Sequence, residues 1–166
     1  MKPAHPHVAA REPRNGDHSH WMFILCSESA ASAEFAAAFP TAYVLQALGT
    51  IPIPIDDGTR ATIEYGLFVR GVRHLVVCGH EGCHATERLL RTHRSDPAQV
   101  VAQCKALQRD ELLGPILRRA DVTMHALWFE ELSRDVYACD FDGRPARRLD
   151  GQDALTLLAS VDEGTE

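Results

Sequence analysis

The stretch that most constrains this chain is His74-Leu75-Val76-Val77-Cys78-Gly79-His80-Glu81-Gly82-Cys83-His84-Ala85. Its apolar, β-branched run suits a strand buried on both faces. A glycine turn at Gly79 is expected next, with a helix over 81–93. His80 and Cys83 then stand beyond a strand end, one turn apart, with Cys83 near a helix N-terminus. Unpaired backbone N–H groups and the helix dipole favour a thiolate there, the form that binds metal. Imidazole and thiolate together are donors of the kind zinc takes.

One earlier run compares with it. Trp21-Met22-Phe23-Ile24-Leu25-Cys26 also reads as a buried strand and also ends in a soft donor. In an open parallel sheet, loops leaving neighbouring strands face a single crevice. Cys26, His80 and Cys83 can therefore share one site, although they are far apart in sequence. Three protein donors leave a fourth position to water or to another residue. The plain alternative is that Cys26 and Cys83 are small buried hydrophobes. Cys78, Cys104 and Cys139 read that way, since each lies in an apolar or amphipathic pattern.

The remaining chain alternates strand and helix. An alanine-rich helix over 30–39 is stopped by Pro40, and a strand follows over 43–47. Residues 49–58 form an irregular connection. A helix is expected over 59–70, with Thr59 or Asp57 as its cap and Gly71 as its stop. Asp96-Pro97 starts another helical stretch that runs to about residue 119, broken at Gly114-Pro115. Strands over 122–129 and 136–141 follow, and Asp142-Gly143 is a hairpin signal. A short helix is expected over 154–161. This order specifies an α/β fold in a single domain: a mostly parallel central sheet flanked by helices, with a C-terminal antiparallel hairpin. The expected divisions are a disordered N-terminal arm over 1–20, a zinc domain over 21–150 and a tail or short helix over 151–166.

Composition excludes several partners. A chain of 166 residues with 45% hydrophobic and 24% charged residues is an ordinary globular protein. Its formal charge of −6 and lack of basic blocks argue against nucleic acid. No apolar run is long enough to cross a membrane, and the polar start has no signal-peptide core. Five unevenly spaced cysteines do not make a disulfide framework, so a reduced, cytoplasmic compartment is expected.

Three motifs then resemble one family. Cys26-Ser27-Glu28-Ser29-Ala30 is similar to the Cys-x-Asp-x-Arg motif of β-class carbonic anhydrases. Ile63-Glu64-Tyr65-Gly66 resembles their Ser-Leu-Glu-Tyr-Ala helix start, and Val77-Cys78-Gly79-His80-Glu81-Gly82-Cys83 resembles their V-x-G-H-x-x-C. The likeness covers roughly residues 21–140. It implies Zn²⁺ on Cys26, His80 and Cys83, reversible hydration of CO2 to bicarbonate by zinc-bound hydroxide, and a homodimer or higher homo-oligomer. In that family the aspartate accepts a hydrogen bond from zinc-bound water, the arginine holds the aspartate, and in an inactive state the aspartate becomes the fourth ligand.

Two of those positions differ here. The aspartate is Glu28 and the arginine is Ala30, while the family's Arg-Asn-Ala-Gly-Asn segment reads Gln46-Ala47-Leu48-Gly49-Thr50. Glu28 is thus either the catalytic acceptor or a fourth metal ligand, with Arg60 or Arg70 as candidate replacement cations. His84 is a candidate proton shuttle, and Gln46, Gly49 and Gly79 are the expected substrate-binding positions. Three functions follow: a working or weakened carbonic anhydrase, a hydrolase of another small electrophile such as carbonyl sulfide, or a non-catalytic zinc-stabilised binding protein.

Overall fold

A computed structural model describes residues 19–51, 54–91 and 95–149. The arm expected over 1–20, apart from a turn at Ser19-His20, and the helix expected over 154–161 lie outside the described residues. Among those described, six strands form one sheet in the order β2-β1-β3-β4-β5-β6. The strands are β1 (Trp21–Cys26), β2 (Tyr43–Ala47), β3 (His74–His80), β4 (Thr123–Phe129), β5 (Val136–Cys139) and β6 (Arg147–Leu149). The first four are parallel, β5 adds antiparallel to β4, and β6 adds antiparallel to β5. The expected α/β architecture with a C-terminal meander is the observed one.

Alternation of side chains across the sheet builds two apolar layers. Met22, Ile24, Leu75 and Val77 pack on one face against α2 (Asp57–Phe68), α4 (Pro97–Arg109) and α5 (Leu113–Arg119). Phe23, Leu25 and Val76 pack on the other against Phe35 of α1 (Ala31–Ala38) and Phe39. Cys78, Cys104 and Cys139 are buried within these layers, as their sequence context implies. Burial raises all three thiols well above the ordinary range, so they act as small hydrophobes.

Several local expectations need correcting. Asp56, rather than Thr59 or Asp57, caps α2, its carboxylate accepting Thr59 N–H at 2.9 Å. The helical break after α4 comes at Asp110, before Gly114, because Asp110 Oδ1 accepts both Leu112 and Leu113 N–H. Gly79 is not a turn. It lies inside β3, whose register continues through Gly79↔Trp128 and His80↔Phe129. A glycine is needed there because a Cβ would collide with Val100 Cγ2 of α4 and lie 3.3 Å from the Trp128 ring. Gly79→Ala should therefore cost about 1–3 kcal/mol of stability, read as a lowered urea midpoint with an unchanged slope.

The helix α3 spans His84–Leu90, so it begins later than residue 81. The turn that precedes it uses Gly82, with φ of 67°, and not Gly79.

At the sheet's opposite end a histidine pair is stacked on Trp21. Ring centroids of Trp21 and His74 are 4.1 Å apart, and His74 Nδ1 is 3.3 Å from His125 Nε2. Burial, then the nearby His74, lowers the His125 pKa to about 4. An unfolded histidine titrates near ~6.5, so between those values the unfolded chain binds more protons. Stability from this group is complete above the unfolded pKa and is lost as pH falls toward about 4. Urea unfolding should show roughly 2 kcal/mol of loss from this group by about pH 5, and His125→Phe should remove that part of the slope.

Candidate metal centre

The parallel order reverses between β1 and β3, since β2 lies on one side of β1 and β3 on the other. Loops leaving these strands therefore diverge and open a crevice at their carboxyl ends. Cys26 ends β1, and His80 ends the adjacent β3. Cys83 follows as the N-cap of α3. These are the three positions expected to meet, and they do.

Donor atoms of Cys26, Glu28, His80 and Cys83 all lie within 4.8 Å of one another. The two sulfurs are 3.6 Å apart. Gly49 N–H donates to Cys26 Sγ at 3.4 Å. Thr86 donates to Cys83 Sγ twice, from its N–H at 3.4 Å and its Oγ1 at 3.1 Å. Burial alone would raise the Cys26 thiol, but the adjacent His80 ring, hydrogen bonds from the Glu28 and Gly49 backbone and the neighbouring Cys83 bring it down to about 7. Cys83 is raised, by burial and by the neighbouring Cys26, against the lowering effect of Thr86. A low thiol and a higher one beside it describe a pair that shares a proton until a cation replaces it.

His80 is almost fully buried, and its Nε2 has no hydrogen-bond partner among the described residues. An orphaned imidazole nitrogen beside two sulfurs is costly unless something occupies the position between them. Two thiols, an imidazole and a carboxylate form a donor set that fits a tetrahedral zinc ion. The residues present thus match the metal their chemistry suggests.

Glu28 is the exposed member of the group. Its Oε2 accepts Ala85 N–H at 3.2 Å and lies 3.8 Å from Cys83 Sγ. No arginine contact to it is found among the described residues. Arg60 is held by Asp110 and Asp57, and Arg70 sits over the Tyr43 ring. Neither supplies the cation that Ala30 lacks.

His84 is exposed at the first position of α3, next to the Ala85 N–H that holds Glu28. Gln46 is exposed near the end of β2. Gly49 is buried, with φ of 72°, and presents its N–H to Cys26. Gly79 is packed beneath α4.

Four further residues support the donors and were not singled out from sequence. Gln103, buried on α4, donates to Gly49 O at 2.9 Å and Ile51 O at 3.3 Å, fixing the loop that reaches Cys26. Ser95 bridges Cys83 N–H and His80 O. Thr86 lies three residues beyond Cys83, the ordinary spacing for a capping contact, so that signal was legible. Glu131, which comes 2.9 Å from His80 Nδ1, had none.

Comparison with known proteins agrees with this geometry. A sequence model of the family described as carbonic anhydrase matches residues 21–114. A carbonic anhydrase from Synechococcus elongatus is 30% identical over 84 residues, 48% of this chain and 31% of that protein. The match thus spans about a third of the relative's length. The β-carbonic anhydrase CcaA shares the fold with a TM-score of 0.62 at 21% identity, over 81% of this chain and 85% of that one. A tetrameric β-carbonic anhydrase from Sordaria macrospora gives 0.58 at 19% identity, over 75% and 82%. The chain is a divergent member of the β-carbonic anhydrase family.

Proposed function

We propose that this protein is a zinc-dependent carbonic anhydrase that interconverts CO2 and bicarbonate, with Cys26, His80 and Cys83 holding the metal. The observation that carries the reading is the convergence of these donors with Glu28, all within 4.8 Å, at the point where the strand order reverses. Bound zinc supplies Lewis acidity that makes a water nucleophilic near neutral pH.

The protein's part is to set how acidic and how open the site is. Two thiolates cancel the formal charge of Zn²⁺ and weaken its effect on water. Hydrogen bonds from Gly49 and Thr86 draw density from the sulfurs and restore part of that effect. Glu28, tethered by Ala85 N–H, is placed to accept a proton from a nucleophilic water and orient it. Exposed His84 beside it is suited to pass protons to solvent. Gln46, Gly49 and Gly79 belong to the strand ends around the crevice, where a small substrate enters.

Glu28 also favours a second reading. Its carboxylate already stands among the other donors, and coordination by it would close the fourth position against water. The protein would then be a latent or purely zinc-stabilised form. Metal analysis with stopped-flow CO2 hydration, at about pH 7 and again at clearly alkaline pH, separates the two. One zinc per chain and a rate above free zinc supports the enzyme. One zinc with no such rate at either pH supports the closed form, and no zinc overturns both.

A homo-oligomer is part of the proposal. Tyr65, Phe68 and Val69 of the α2 end and Leu48 after β2 are exposed, and β2 is an edge strand whose side chains are half-buried or, at Gln46, exposed. Covering that edge with a second copy removes both liabilities, which sedimentation equilibrium would detect. No described helix is long and apolar enough to cross a membrane. The five free cysteines suit a reducing, cytoplasmic setting.

A further inference from the structure

We propose that Glu131 is the positioning residue of the metal centre, fixing the His80 tautomer and tying together the loop after β1 and the end of β3, which carry donors. The inference rests on the zinc reading above and adds a residue outside the family motifs described earlier.

Glu131 lies just past the end of β4, in the turn beside His80. Pairing of His80 with Phe129 and the bond from Glu81 N–H to Phe129 O hold that turn against the end of β3. Glu131 Oε1 is 2.9 Å from His80 Nδ1, although the contact lies outside hydrogen-bond geometry. Distance alone decides the tautomer. A bare nitrogen lone pair that close to a carboxylate oxygen is repulsive, so the neutral ring carries its proton on Nδ1. The lone pair is then on Nε2, which has no hydrogen-bond partner among the described residues and stands on the ring's far side from Glu131.

The carboxylate is itself fixed from the other motif. Ser29 Oγ donates to Oε1 at 2.7 Å, and Ala30 N–H donates to Oε2 at 3.3 Å. Ser29 is buried, whereas the Glu131 side chain is 27% exposed and needs such anchors to hold one orientation. One side chain therefore joins the loop after β1, which carries Cys26 and Glu28, to the end of β3, which carries His80. The contact also adds negative charge behind the imidazole and raises its basicity toward a cation. The anchor is made at Ala30, where the family pattern has an arginine, so the backbone of that position serves a different carboxylate.

Zinc affinity provides the test, read by competition against a chromophoric chelator, with the absorption bands of the Co²⁺-substituted protein as a second readout. Glu131→Ala should weaken zinc binding on the order of 10–100-fold and shift the Co²⁺ bands. Glu131→Gln, which keeps an oxygen acceptor but loses the charge, should fall between it and the unmodified protein. Ser133→Ala disturbs the same turn through Glu130 and should leave zinc affinity unchanged. Equal affinity in Glu131→Ala and the unmodified protein overturns the inference while leaving the zinc reading intact. Equal losses in Glu131→Ala and Ser133→Ala overturn it too, because the turn and not the carboxylate would then matter. An unmodified protein that binds no zinc removes the reading and the inference together.

Discussion

Cys83→Ser should lower zinc affinity by on the order of 100-fold or more while leaving the metal-free fold nearly as stable as before. The separation follows from two roles held by one atom. Cys83 Sγ caps α3 by accepting Thr86 N–H, and it is also a candidate metal donor. Serine is among the best N-cap residues, so the helix start survives the exchange. A neutral hydroxyl is a poor substitute for a thiolate toward zinc, so the second role is lost. Zinc that binds only the folded state stabilises it by mass action, and a hundredfold excess over Kd contributes about 2.7 kcal/mol. The variant should therefore unfold at the same urea midpoint as the unmodified protein when both are stripped by chelator. With zinc added, only the unmodified protein should gain. Full zinc retention by the variant would mean that Cys83 is not a ligand.

Why the donors were legible in sequence, while much of their support was not, follows from how each is placed. Cys26, His80 and Cys83 stand at or just beyond the ends of the two most apolar runs, and a parallel sheet sends such ends to one side. Local chemistry and fold class together suffice for that inference. Gly79 shows where local chemistry misleads. Its glycine signalled a turn, yet the need for it comes from α4 crossing the strand at Val100, a contact made only once the sheet is assembled. The missed Asp56 cap was a matter of choosing among adjacent residues, since several of them can accept a helix N–H.

Glu131 and Gln103 were illegible for a different reason. Each reaches the centre from an element distant in sequence, Glu131 across from β4 and Gln103 down from α4. A glutamate in a polar turn and a glutamine on an amphipathic helix carry no mark of what they will touch. Sequence also left Arg60 and Arg70 as replacements for the missing arginine. The fold shows each engaged elsewhere, by Asp110 and by the Tyr43 ring. The absent cation is therefore a property of the described site and not a relocated residue.

Restoring the absent pair should release the site. In Glu28→Asp with Ala30→Arg, CO2 hydration should rise by about tenfold or more, equivalent to at least ~1.4 kcal/mol of barrier. Glu28 now reaches the donor cluster, with Oε2 held by a single backbone N–H from Ala85 and 3.8 Å from Cys83 Sγ. Removing one methylene draws the carboxylate back, and a guanidinium at position 30 offers it a two-pronged partner that outcompetes a metal contact. Each change alone should do less. Aspartate without the cation still has no anchor away from the donors, and arginine with the longer glutamate still leaves a carboxylate able to reach them. Arginine at position 30 also stands near Glu131, whose Oε2 accepts Ala30 N–H, so its charge is shared between two carboxylates. Zinc content should stay at one per chain throughout, which separates a faster site from a fuller one. An unchanged rate in the double variant, with zinc retained, would show that Glu28 does not limit access and that the unmodified site is already open.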